Sequence, residues 1–269
     1  MKVKGFEVEG IIKVDNVRVY GIEESIIASG YPMQTKTVPM ADNAPVTNLV
    51  ISDKDMKRAK HLGNATPGSG HDCFAKGITV QFDLQVPEYI WRQLDRYHFI
   101  DYVSSQSKMH RILKIDIDKT CNKYVSENTI DYLKTMISIY NHYENVKEYI
   151  INHFKKDNLS NCKYLSSTEG WQEWVSSELE WTGNFYYDND RDMIFYSLKC
   201  GDFVEFTKEN LFNIIIANTP SGLMLTARMT TNYLQLKSIV NQRSNHKMQE
   251  WRLLCDYFKT LPMFDMVCK

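Results

Sequence analysis

No two cysteines of this 269-residue chain are spaced Cys-x-x-Cys, although six are present: Cys73, Cys121, Cys162, Cys200, Cys255 and Cys268. That spacing lacks the close ligand pairs of a structural zinc site, and in a reducing compartment the six read as free thiols. No apolar run approaches the roughly 18 residues needed to span a bilayer, so no membrane partner is expected. Neither sign of charge dominates: Lys plus Arg is 32, Asp plus Glu is 33, and the formal net charge is −1. A polymeric nucleic acid partner would call for a basic excess, but a local pocket for one phosphorylated metabolite would not. Proline and glycine are sparse, at 7 and 12, while 43% of the residues are hydrophobic. This excludes disordered, collagen-like and low-complexity classes. The opening Met1-Lys2-Val3-Lys4-Gly5 leads into alternating charged and apolar residues, not a signal-peptide core, and predicts a cytoplasmic protein.

What is present is enough apolar material for a sizeable core. Val8 to Tyr20 partly alternates and is rich in Val and Ile, predicting strands with Asp15-Asn16 as a turn between them. Glu23 to Ser29 reads as a short helix ended by Gly30-Tyr31-Pro32, and residues 52–61 as a second, capped by Ser52 or Asp53. The glycine-rich loop Gly63 to Gly70 lacks the Gly-Lys-Ser/Thr ending of a P-loop. Ile78 to Leu84 alternates as a half-buried strand does. Pro87 then opens a helix over 87–100, with Ile90, Leu94 and Tyr97 on one stripe, and the polar run Ser104 to Lys108 breaks it. A long helix is predicted from about Glu127 to Lys155, capped by Ser126 and irregular in its middle. Residues 157–208 mix polar clusters with Trp171, Trp174 and Trp181; within them, Asp188 to Asp192 lacks the glycine and glutamate of a calcium loop and reads as a solvated turn. Lys208 to Phe258 reads as mostly helical, interrupted at Pro220-Ser221-Gly222 and near Ser244-Asn245. There is no internal repeat and no clean interdomain linker.

Two segments set unusual polar groups beside strong apolar patterns. Gln93 to His110 carries Arg96, His98, Lys108 and His110 among serines and an amide, a donor-rich stretch of the kind an anionic ligand needs. The plainer alternative is a capped helix end and a solvated loop. Asn232 to Arg252 punctuates an apolar helical run with Gln235, Lys237, Asn241, Gln242, Arg243, His246 and Gln249. Arg243, near a helix end, can clamp a planar acceptor; the plainer alternative is a solvated face with dipole compensation. His71 and Cys73 lie two apart and would share a face of a strand, but no orienting Asn or Asp can be assigned to make them a nucleophile pair.

Taken together, these pieces resemble the flavin-dependent thymidylate synthases, the ThyX family. That family carries a His-Gly-Ser segment, a strand, a proline-started helix and the signature Arg-His-Arg-x-x-Ser-x-Asn-Glu-x-Ser-x-Arg-Tyr, with a Gln three residues before its first Arg. Here His71 precedes the strand, Pro87 opens the helix, and Gln93 stands three before Arg96. Arg96-Tyr97-His98 falls on the Arg-His-Arg triplet, Ser104 on the Glu, Gln106 on the second Ser and Lys108 on the later Arg; a one-residue slip puts Ser107 on that Ser. Farther on, Thr230-Thr231-Asn232-Tyr233-Leu234, then Arg243 and Gln249, follow the family's Thr-x-Asn-Leu-Arg, Arg and Gln. Leu234 and Ile216 stand where the family has arginines.

The resemblance implies an α+β, ThyX-like fold with a mixed sheet and long helices. It implies a single domain over 1–269, with a divergent or inserted region at about 157–208, assembled as a homotetramer whose sites draw on several subunits. It implies methylation of dUMP to dTMP, with FAD as cofactor and methylenetetrahydrofolate and NADPH as co-substrates. By the same resemblance Arg243 holds and activates the uracil ring. His71, Cys73, Arg96, Tyr97, His98, Ser104, Asn232 and Ser238 contact FAD; Gln93, Arg96, Ser105, Gln106, Ser107 and Lys108 contact the nucleotide. No metal is expected. The departures from the signature keep two alternatives open: transfer of another one-carbon unit, such as hydroxymethyl, to a pyrimidine nucleotide, or nucleotide binding without turnover.

Overall fold

A computed structural model of the chain describes residues 1–33, 50–66, 69–156, 185–188, 191–199 and 202–267. Residues 157–184, with Trp171, Trp174, Trp181 and Cys162, lie outside them, as do Cys200 and Cys268. The chain divides into two compact units, residues 1–106 with 224–269, and residues 107–223.

The first unit opens with three strands, β1 (Lys2–Val3), β2 (Phe6–Val8) and β3 (Ile12–Tyr20). Asp15-Asn16 is not a turn between two strands. It is an irregularity inside β3, where Asn16 takes φ 49° and the register against the next strand shifts between Asp15 and Arg18. Gly21, at φ 73°, turns the chain into α1 (Ile22–Ala28); a β-carbon there would lie 2.6 Å from the Gly77 carbonyl oxygen, so no larger residue fits. The helix α2 (Asp53–Gly63) starts in a capping box, Asp55 N donating to Ser52 Oγ while Ser52 N donates to Asp55 Oδ2.

Next come β4 (Thr79–Pro87) and α3 (Glu88–Leu94). The sequence reading carried this helix on to residue 100; it ends at Leu94, because the chain is then drawn into a strand, β5 (Ile100–Ser105). In the second unit the elements are α4 (Lys108–Arg111), α5 (Ile117–Thr120), α6 (Glu127–Asn141), α7 (Tyr143–Lys156), β6 (Phe185–Asp188), β7 (Met193–Lys199), β8 (Asp202–Glu205) and α8 (Lys208–Asn218). The single long helix predicted over 127–155 is two. His142, at φ −107° and ψ 25°, leaves helical geometry, and its ring Nδ1 lies 3.0 Å from the Ser138 carbonyl oxygen. Leu133, Met136, Ile139, Val146, Ile150, Leu211 and Ile215 are among this unit's buried side chains, as is Tyr143, whose hydroxyl donates to the Phe206 carbonyl.

The chain returns to the first unit as β9 (Met224–Asn232), α9 (Tyr233–Arg243) and α10 (Gln249–Lys259). Residues 224–232 form an inner strand, not the helix that the sequence predicts over this stretch. Its burial alternates, with Ala227, Met229 and Thr231 inward. The antiparallel order is β1-β3-β4-β9-β5, with β2 also on β3, so β5 is an edge. Val80, Phe82, Leu84 and Val86 of β4 are buried against Leu236, Ile239 and Val240 of α9 and Leu254 and Phe258 of α10 in one apolar core. Each such side chain stabilises the fold by about 1.5–3 kcal/mol. The other face of the sheet is polar: Arg228 pairs with Asp83 at 3.1 Å, and Asn16 Nδ2 donates to the same carboxylate.

Candidate functional site

The site lies along α9 in the first unit. Asn232 ends β9 in extended backbone and accepts the Gln235 N–H at 2.9 Å through Oδ1, which starts the helix. One face of α9, Leu234, Gln235, Lys237, Ser238, Asn241 and Gln242, follows helical spacing and lines a cavity of about 820 Å³. The opposite wall is the turn Gly70, Asp72, Cys73 and Lys76, with Phe99 from the segment leading into β5. Gly70 sits at φ 77°, the left-handed region that lets this turn form. Asp72 and Lys237 are buried, 9% and 7% exposed, and Lys237 Nζ donates to Asp72 Oδ2 at 2.6 Å and to the Gly63 carbonyl at 2.7 Å.

At the other end of α9 a second cluster forms. Arg243 Nε donates to the Tyr97 hydroxyl at 2.8 Å. Its guanidinium lies 4.9 Å from the Trp251 ring centroid and 5.8 Å from that of Tyr97. Trp251 is fully buried and donates its indole N–H to Gln93 Oε1 at 2.9 Å. Gln93 Nε2 in turn donates to the Tyr89 carbonyl and to Met248 Sδ. The two ends are connected: Tyr97 donates to Gln242 Oε1 at 3.1 Å, and Gln242 Nε2 donates to Ser238 Oγ at 3.2 Å on the cavity wall. Among the described residues, no protein acceptor is assigned to the terminal nitrogens of Arg243. Planar donors in a fixed fork suit a carbonyl edge or an oxyanion.

His246 flanks this cluster, its ring 6.2 Å from Trp251. Burial, then the neighbouring charges of Arg243 and Arg252, lowers its pKa from the ordinary 6.5. Its Nδ1 accepts the Met248 N–H, which the neutral ring can do. The folded chain therefore binds this proton less readily than the unfolded chain. The resulting stability is present above about pH 6.5 and is lost as pH falls through the lowered value. Thermal melts taken from about pH 7.5 down to about 5 should show a fall in midpoint that is shallower in His246→Asn. Equal slopes in the two proteins would reject this assignment.

No protein-family model matches the sequence, and no curated protein matches it. Solved structures do match. Thymidylate synthase X (ThyX) from Helicobacter pylori with FAD and dUMP superposes with a TM-score of 0.53 over 95% of this chain and 98% of that chain, at 10% identity. The fold is ThyX-like. A second structure, the flavin-dependent thymidylate synthase ThyX of the same organism complexed with FAD and dUMP, has a TM-score of 0.49 over 94% of this chain and 99% of that chain, at 11% identity. At such identity the likeness is one of fold.

On this ThyX-like scaffold the residues singled out from sequence fall into four groups. Cys73, Asn232 and Ser238 line the cavity, and His71 is an exposed neighbour in the same turn, with no hydrogen bond to Cys73 among the described residues. Gln93, Tyr97 and Arg243 meet around Trp251. Arg96 and His98 are exposed between α3 and β5, Ser104 and Ser105 are exposed on the edge strand, and Gln106 pairs with Thr226 in sheet fashion through its backbone N–H and its Oε1. Ser107 and Lys108 belong to the other unit. Sequence reasoning gave no role to Trp251, Phe99 or the Lys237–Asp72 pair. A buried tryptophan has no polar pattern to mark it, but the polar positions 237, 238, 241 and 242 on one helical face were a usable signal.

Among the described residues no group of three His, Cys, Asp or Glu is placed to hold a metal, and no helix is long and apolar enough to cross a membrane.

Proposed function

We propose that this chain is a flavin-dependent thymidylate synthase-like enzyme that binds FAD in the cavity along α9 and a pyrimidine mononucleotide, dUMP, beside Arg243. The observation that carries this reading is the preparation of Arg243. Its Nε is held by Tyr97 and its plane lies over Trp251, while its terminal nitrogens keep their donors for a ligand. A planar fork of this kind recognises the carbonyl edge of a uracil ring, and positive charge fixed there stabilises electron density building on the ring.

The cavity suits the flavin cofactor in size and lining. Small-molecule sites run from about 300 to 1,000 Å³ and are mostly apolar with a few placed polar groups. Here Leu234 and Phe99 offer apolar surface to a planar ring. Asn232, Ser238 and Gln242 offer hydrogen-bonding groups, and Lys76 with the first turn of α9 offers positive charge to a phosphate. When bound, FAD would supply hydride and one-carbon transfer, with NADPH and methylenetetrahydrofolate as the sources. The protein's own work is to orient the ring, hold the nucleotide and exclude water. A homotetramer would let a neighbouring subunit bring its Ser104 to Lys108 stretch to the nucleotide.

Leu234 stands in the cavity wall where the resemblance calls for an arginine, and this loss of a cation favours a second reading, in which the chain binds nucleotide without turnover. An absorbance spectrum of purified protein, before and after added FAD, tests the first part of the proposal. Product analysis with labelled dUMP or dCMP and the folate then identifies the unit and the base. Protein that takes up no flavin, or flavoprotein on which dUMP has no spectral effect, would sink the proposal.

A further inference from the structure

The polar floor of the cavity has donors and acceptors left over. Lys237 Nζ carries three N–H groups, and two are used, on Asp72 Oδ2 and the Gly63 carbonyl. Among the described residues the third has no protein acceptor, and Asp72 Oδ1 has no donor. Both side chains are about nine-tenths buried, 9% and 12% exposed, and both line the cavity. Buried polar groups left without partners are costly, and in native proteins they mark where water, an ion or a ligand completes the set.

The pair is neutral as a whole, so its floor position does not attract charge in the manner of an arginine cluster. It presents one fixed donor beside one fixed acceptor. It also stands one helical turn from Leu234, on the same face of α9.

We propose that Lys237 and Asp72 read the edge of a heterocycle, Lys237 donating to a carbonyl oxygen or ring nitrogen and Asp72 accepting from the adjacent N–H. This deepens the functional reading above and rests on it, the heterocycle being part of the flavin cofactor. FAD carries two rings with such an edge, the isoalloxazine and the adenine. Removing both charges together, Lys237→Met with Asp72→Leu, avoids stranding one buried charge without its partner.

Purified wild type and double variant are to be titrated with FAD, riboflavin and AMP, and their melting temperatures compared. The variant is expected to bind FAD at least tenfold more weakly while melting within a few degrees of wild type. A matching loss with riboflavin assigns the isoalloxazine edge, and a loss with AMP assigns the adenine edge. Unchanged FAD affinity in the folded variant overturns this inference and leaves the functional reading standing. So does weaker FAD binding with riboflavin and AMP both unaffected, which would put the lost contact on the phosphates. Wild-type protein that binds no flavin overturns both. Should the double variant fail to fold, Lys237→Gln with Asp72→Asn, which removes both charges but keeps polar side chains able to bond each other, takes its place in the same titrations, with at least a threefold loss for FAD expected.

Discussion

Arg243→Ala should yield a folded protein that still takes up FAD, with dUMP-dependent turnover lowered by about 10²–10³-fold, or roughly 3–4 kcal/mol of transition-state stabilisation. The separation of effects follows from where the side chain sits. Arg243 is only half buried, near the end of α9, and its interactions are one hydrogen bond to Tyr97 and ring contacts with Trp251 and Tyr97. A partly exposed cation–π contact contributes about 0.5–1 kcal/mol, so the melting temperature should move by only a few degrees. The cavity walls that would take the flavin do not include Arg243. Arg243→Lys is the sharper control. It keeps the charge but loses both the planar fork and the Nε donor that Tyr97 holds, and should recover little turnover. Steady-state rates over a range of dUMP, with flavin affinity and circular dichroism on the same preparations, measure all three quantities. Turnover at the wild-type rate in Arg243→Ala would remove this residue from the chemistry.

How far this site can be read from the sequence depends on the range of the contacts that build it. The strand β4 is legible because Val80, Phe82 and Leu84 alternate with Gln81 and Asp83, and the structure buries the first set and turns the second to the polar face. The cap of α2 is legible for a similar local reason, Ser52 and Asp55 being three residues apart. The strand β9 is not. Met224, Leu225, Ala227 and Met229 are good helix formers, and only the period-two placement of Ala227, Met229 and Thr231 betrays a strand. Pairing with β4 and β5 on both sides overrides the helical preference of those residues. The polar positions of α9 were visible, but whether they face solvent or a cavity depends on the 70–76 turn, which packs against the helix from far away in the chain. Lys237 and Asp72 are separated by 165 residues, and Trp251 and Gln93 by 158. No spacing rule connects such pairs, and so the groups that hold the site in place are the ones a single sequence conceals.

Trp251 is where stability and function should come apart least. Trp251→Ala empties a fully buried position, and changes of that kind cost about 3–5 kcal/mol. For a chain of this size each kcal/mol lowers the melting temperature by about 2–4 °C, so a drop on the order of 10 °C is expected. That result alone would show only that the core needs a large side chain. Trp251→Phe separates the two roles. It keeps an aromatic face toward Arg243 but deletes the indole N–H, leaving Gln93 Oε1 without its donor at a cost of about 1–3 kcal/mol. Gln93→Ala removes the same bond from the other side while leaving the indole ring in place. If the bond serves to fix the ring beneath Arg243, both substitutions should lower kcat by a similar factor with KM for dUMP little changed, and the double variant should be no slower than either single one, because both delete one link. A purely structural bond would instead lower the melting temperature in each and leave kcat at the wild-type value. In that case Tyr97, 2.8 Å from Arg243 Nε, would orient the guanidinium without help from below.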